Sequence, residues 1–120
     1  MEKLQILEDT FNLLYIDKKS GKEIEDKFNT LFITAKLLDY TIDRKVFNHA
    51  NRKIISIKCG NLDKFKAMYI SFIICHDKNK IKGIELRYCK NYKLVANNYF
   101  YFKGSEVDIS CSIDQFIRYL

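Results

Sequence analysis

The period of the hydrophobic pattern changes once along this chain, near Lys53. Before it, apolar residues recur every three or four positions: Leu4, Leu7, Phe11 and Leu14, then Ile24, Phe28, Leu31, Ala35 and Leu38. Each set falls on one side of a helical wheel, which predicts helices over 2–15 and roughly 21–39. After it, apolar residues alternate with polar ones or run together in stretches of strand length. Helices followed by sequential strands describe an α+β domain of two layers.

Local signals set the expected boundaries. Ser20 stands three residues before Glu23, a capping box for the second helix. The stretch LLYIDKKSGKEI also reads as a hairpin with Ser20-Gly21 in its turn, so 13–24 is either a helix–helix junction or a hairpin. Asp43 to Arg52 reads as a short third helix or a linker. Lys53–Cys59 is a strand closed by Gly60-Asn61. Phe65–His76 is a long strand, apolar on both faces over its second half, which suits a central strand covered on both sides. Asp77–Lys80 is a turn. Over 81–89, Ile84, Leu86 and Tyr88 face one way, and Glu85 and Arg87 the other. Lys90-Asn91 turns into Tyr92–Ala96, and Asn97-Asn98 turns into Tyr99–Lys103. Glu106–Ile109 reads as a short strand. Ser112 and Gln115 form a second capping box before Ile113, Phe116, Ile117 and Leu120. The expected architecture is two or three N-terminal helices, an antiparallel β-meander of four to five strands, and a short C-terminal helix.

Size and composition narrow the class. A chain of 120 residues with 48% hydrophobic residues is not disordered. It buries about two-thirds of its unfolded surface, enough for one core and one domain over 1–120. The net charge is +6, but it comes from 17 Lys and only 4 Arg. Lys, Ile, Asn, Phe and Tyr supply about half of the chain, while Pro and Trp are absent. The abundant residues have AT-rich codons, which points to an AT-rich genome such as a low-GC bacterium or one of its phages. Much of the basic charge is then codon bias spread over a solvated surface, which weakens the inference to an acidic partner. Readers of nucleic acid favour the planar fork of Arg.

Targeting and redox signals are few. The start, MEKLQILED, is charged and has no apolar core, so no signal peptide is expected. The longest nearly apolar run, Met68 to Cys75, is too short to span a bilayer. Cys59, Cys75, Cys89 and Cys111 form no CxxC pair and sit in apolar stretches, the pattern of buried thiols in a cytoplasmic protein. No metal site or cofactor is expected.

Catalytic motifs are missing as well. His49 and His76 are the only neutral-pH bases. In Cys75-His76-Asp77 strand alternation points His76 away from both neighbours, so they cannot act as a local nucleophile–base pair. Asp77 with Glu85-Leu86-Arg87 resembles the PD-(D/E)xK nuclease pattern, but Arg87 stands where Lys is expected and the flanking Pro is missing. No Gly-rich phosphate loop, GxSxG or HExxH occurs.

Binding residues are more conspicuous. Tyr88, Tyr92, Tyr99, Phe100, Tyr101 and Phe102 crowd the last strands, interleaved with Arg87, Lys90, Lys93 and Lys103. Alternation sets Tyr99 and Tyr101 on one side and Phe100 and Phe102 on the other. The Phe side suits a core, and the Tyr side a half-wet surface that binds protein or stacks bases. Lys78, Lys80 and Lys82 mark a basic hairpin tip. The expected binding residues are Tyr88, Tyr92, Tyr99, Tyr101, Arg87, Lys78, Lys80 and Lys93. The expected function is a small non-enzymatic interaction module, a phage or mobile-element protein that inhibits a host defence factor. Its expected partner is a host protein, with no membrane involved. Two alternatives stand beside it: a nucleic-acid binder or small nuclease, and a nucleotide-sequestering protein. A homodimer would use the Tyr99/Tyr101 face or a strand edge.

Overall fold

The computed structural model describes residues 5, 9–10, 18–75, 80–101 and 106–120. Helix α1 (Lys18–Leu37) precedes five strands: β1 (Thr41–His49), β2 (Arg52–Asn61), β3 (Lys66–Cys75), β4 (Lys80–Lys90) and β5 (Lys93–Tyr101). Helix α2 (Glu106–Tyr119) follows. The strands pair antiparallel in chain order, β1-β2-β3-β4-β5, as a single meander. The α+β class and the meander agree with the pattern of the sequence. The helix predicted over 2–15 falls largely outside the described residues, although Gln5, Asp9 and Thr10 are helical.

Helix α1 buries Ile24, Phe28, Leu31, Phe32 and Ala35 along one side. Its end is shaped by hydrogen bonds from Tyr40 N to Ala35 O (2.9 Å) and from Asp39 N to Lys36 O (3.2 Å). This is a Schellman cap, with Asp39 in the left-handed position (φ 65°) where glycine is usual. The apolar Tyr40 then packs into the core, and its hydroxyl donates to Leu120 O at 3.1 Å. Leu38 lies beyond the helix in that turn rather than on the buried stripe.

Both helices cover one face of the sheet. The core between the layers holds Ile55, Ile57 and Cys59 of β2, Met68, Ile70, Phe72 and Ile74 of β3, and Ile84, Leu86 and Tyr88 of β4. Ile109, Ile113 and Phe116 of α2 close it. Phe72 meets Phe28 edge to face at 5.3 Å, and Lys27 on α1 pairs with Asp114 on α2 at 2.6 Å.

Several boundaries differ from the sequence reading. Residues 18–37 are helical, so Ser20 lies inside α1 rather than capping it, and no hairpin forms at Ser20-Gly21. Thr41–His49 is an edge strand, not a third helix or a linker. Its Arg44 donates to Thr10 Oγ1 at 3.0 Å, which places a polar residue on the helix side and blurs the alternation. Asn97 and Asn98 continue β5 instead of turning it, and Glu106–Ile109 begins α2 instead of forming a strand. One contact accounts for both signals: Asn98 Nδ2 donates to Ser112 Oγ at 2.9 Å across the layers. Ser112 is therefore a mid-helix partner, not a cap. Strand β3 is central, as its apolar character implies, but described helices cover only one of its faces.

Candidate functional site

The face of the sheet opposite the helices carries the alternate residues of all five strands. The pairing register arranges them in rows. One row runs Phe47, Ile54, Ile73, Gly83 and Tyr101 from β1 to β5. The next runs Lys45, Ser56, Ser71, Glu85 and Tyr99, and the third Asp43, Lys58, Tyr69, Arg87 and Asn97. No described element lies over them.

The first row is an apolar strip. Phe47 is 51% exposed, Tyr101 63% and Tyr99 42%. Ile73, in the centre, is buried by its neighbours. Tyr99 and Tyr101 meet edge to face at 5.5 Å. The Tyr99 ring lies over Gly83: a Cβ there would stand 2.7 Å from the Tyr99 hydroxyl. Gly83 therefore keeps a gap that sets the tyrosine in place. Burial, reinforced by Tyr101, holds the Tyr99 hydroxyl above the ordinary tyrosine range, against the lowering effect of Arg52. The hydroxyl stays protonated and can donate a hydrogen bond.

The third row is polar and internally matched. Arg87 Cζ sits 4.9 Å from the centre of the Tyr69 ring, and Lys58 Nζ 5.6 Å from it. Arg87 Nε lies 3.6 Å from Glu85 Oε1, and it has no hydrogen-bond partner. Ser71 Oγ donates to Ser56 Oγ at 3.5 Å. Small residues thus form the floor of the central face, with rings and long cations at its sides.

Beyond this row the face ends in a recess of about 700 Å³. Gly60, Ala67 and Cys89 form its floor, and Phe65 and Tyr92 rise at its wall.

The structure separates the binding residues read from sequence into groups. Tyr99, Tyr101 and Arg87 share the open face. Tyr88 does not: it is 4% exposed, faces the helices and stacks on Tyr119 at 4.5 Å. Burial raises its hydroxyl pKa, with Tyr119 adding to the rise. Its partner there is the protein's own core. Tyr92 lies in the β4–β5 turn and Lys93 begins β5, the length of that strand away from Tyr101, or about 27 Å. Lys80 begins β4 at the opposite end, paired with Cys75, and Lys78 lies outside the described residues, as does Cys75-His76-Asp77 except for Cys75. Sequence reasoning missed Phe47, Ile54, Ile73, Tyr69, Lys58 and Arg52. Strand alternation marks each as facing away from the core, but only the register joins them into one surface.

Metal chemistry finds no support among the described residues, where no three potential ligands gather. Cys59, Cys89 and Cys111 are free thiols, and burial pushes Cys59 up to about 12. Among the described residues no helix is long and apolar enough to cross a membrane. No protein-family model, curated protein or solved structure matches the chain.

Proposed function

We propose that this chain is a binding module that docks a protein partner on the open face of its sheet. The observation that carries the reading is the apolar strip of Phe47, Ile54, Ile73 and Tyr101 running unbroken across five strands, with Tyr99 beside it. Exposed rings beside aliphatic side chains, flanked by Arg and Tyr, have the composition of the buried centre of a protein interface. A surface built to stack bases would expose ring faces in sequence along a cationic groove. Here the central ring, Tyr69, is already engaged by the protein's own Lys58 and Arg87. The lysine-rich, arginine-poor composition supports the narrower reading of a phage or mobile-element protein that inhibits a host defence factor.

The test is anisotropy of labelled single-stranded RNA and duplex DNA, followed by partner capture. The proposal expects no nucleic-acid binding at about 50 mM salt. Micromolar binding that weakens roughly tenfold by about 200 mM would mean several phosphate contacts and a nucleic-acid partner instead. In capture from a lysate of a low-GC bacterium, a specific protein should be retained by the wild type. It should be lost with the Tyr99→Ser/Tyr101→Ser double variant, whose melting curve should stay close to wild type. Capture that survives both substitutions removes this face as the site.

A further inference from the structure

The recess at the far end of the open face is chemically unlike the apolar strip. Three carboxylates, Asp39, Asp43 and Asp63, stand around it, with the Phe65 and Tyr92 rings at its wall. We propose that it binds an alkylammonium group, held between those carboxylates and the faces of Phe65 and Tyr92. This site is separate from the strip and does not depend on what docks there.

The rings supply the first reason. Around this end of the molecule, aromatic rings already carry the protein's own cations. Lys58 and Arg87 flank Tyr69, and Lys64 Nζ lies 5.6 Å over the Tyr40 ring. Phe65 and Tyr92 carry none among the described residues. They meet edge to face at 6.0 Å and 66°, and they remain 52% and 85% exposed. Two rings set at an angle present the negative faces that attract an ammonium.

The carboxylates supply the second. No described cation lies within ion-pair distance of Asp39, Asp43 or Asp63. The nearby ammoniums are committed elsewhere: Lys58 to Tyr69, Lys64 to Tyr40, and Lys66 Nζ to Tyr119 O at 3.1 Å. Lys58 is the cross-strand neighbour of Asp43, yet its head group turns to the ring. Negative charge is therefore left uncompensated locally in a chain whose net charge is +6. That overall charge repels a polycation, so one cationic head is what the recess favours.

Size and rigidity complete the case. A volume of about 700 Å³ suits an ammonium carried on a longer stem. The floor is low because Gly60, Ala67 and Cys89 are small. The two turns that bear the rings are joined by Asn91 N donating to Phe65 O at 2.8 Å, and Lys64 N donates to Asn61 Oδ1 at 3.1 Å. The walls are set before any ligand arrives, which lowers the cost of binding.

The ammonium has two sources, a free amine or a lysine on a partner. Both are tested by amide chemical shifts of the full chain at Gly60, Ala67 and Cys89. The probes are butylammonium, acetyl-Gly-Lys-Gly amide and the uncharged norleucine analogue of that peptide. Saturable shifts are expected with an ammonium probe and not with the norleucine peptide. Asp43→Asn and Tyr92→Gly, both folded, should each weaken binding at least about threefold. Equal affinity for butylammonium and the lysine peptide identifies a free amine as sufficient, whereas peptide binding at least about tenfold tighter identifies a partner's lysine. The proposal is overturned if neither ammonium probe saturates by about 100 mM. It is equally overturned if the norleucine peptide acts alike, or if both variants bind as the wild type does.

Discussion

The two faces of the sheet alternate residue by residue along the same strands, yet they carry different burdens. On the helix side, Ile70, Phe72, Ile84 and Leu86 are wholly buried and touch only other apolar groups. On the open side, Ser71, Tyr69, Arg87 and Tyr99 are held by a ring–cation pair, an ion pair and a glycine gap. The first face holds the domain together through area removed from water. The second contributes far less to folding, so its rings and charges are free to be specified by a partner. One strand can serve both purposes because its side-chain period is two.

That contrast can be broken most sharply by matched truncations. Phe72→Ala should cost about 3–5 kcal/mol, because the cavity it leaves against Phe28 cannot collapse. Phe47→Ala on the open strip should cost less than about 1 kcal/mol. Denaturant midpoints measure both, and equal losses would mean that the strip is structural.

Alkaline pH probes the covered face by titration. Cys59 has its pKa raised by burial from 9.0 to about 12. Its folded pKa lies above the unfolded one, so the folded state holds the proton that the unfolded state gives up. This stability is fully present below about pH 9 and is lost as pH rises towards 12. Unfolding free energy should fall over that window with a slope approaching about 1.4 kcal/mol per pH unit. Tyr40 and Tyr88, raised by burial from 10.0, add losses of the same sign at higher pH. Cys59→Ala should flatten the curve between pH 9 and 10, and an unchanged slope would show that Cys59 does not carry it.

Gly83 joins the two faces. Gly83→Ala should destabilise by about 1–3 kcal/mol, since the new methyl meets the Tyr99 ring. Adding Tyr99→Ser should recover part of that loss. The Phe100 carbonyl, 3.0 Å from the same Cβ position, keeps the recovery incomplete. Strict additivity in this cycle would deny the contact. The smallest effect is expected at the β4–β5 turn, where Asn91 (φ 53°) and Tyr92 (φ 64°) both take left-handed backbone. Glycine suits that second position, so Tyr92→Gly should raise stability by up to about 1 kcal/mol. A clear loss would mean that the Phe65–Tyr92 contact contributes to folding as well.

Much of the fold was legible because its signals are local. The stripe of Ile24, Phe28, Leu31 and Ala35, and the alternation of Ile84, Leu86 and Tyr88 with Glu85 and Arg87, depend only on backbone period. The misread segments share one cause. Asn98 and Ser112 each look like punctuation, a turn and a cap, until the layers bring them 2.9 Å apart. Arg44 likewise disguises β1 until Thr10 satisfies it. A polar residue inside an element is tolerated when a distant group completes its hydrogen bond, and sequence spacing says nothing of that group. The candidate surface was half legible for a related reason. The side of the strand that holds Tyr99 and Tyr101 follows from alternation, whereas Tyr88 was taken for a surface ring because aromatic density says nothing of which face is covered.

By itself the sequence determined the α+β class, a meander of sequential strands and most of the residues that fill the core. Those properties follow from periodicity and burial, which each segment expresses alone. Only the tertiary structure decided that Phe47, Ile54, Ile73 and Tyr101 lie in one row, that Tyr88 is enclosed, and that Asp39, Asp43 and Asp63 surround one recess. Register, layer coverage and the approach of two turns are relations between segments. They are set by the summed packing of the whole chain rather than by the preferences of any stretch of it.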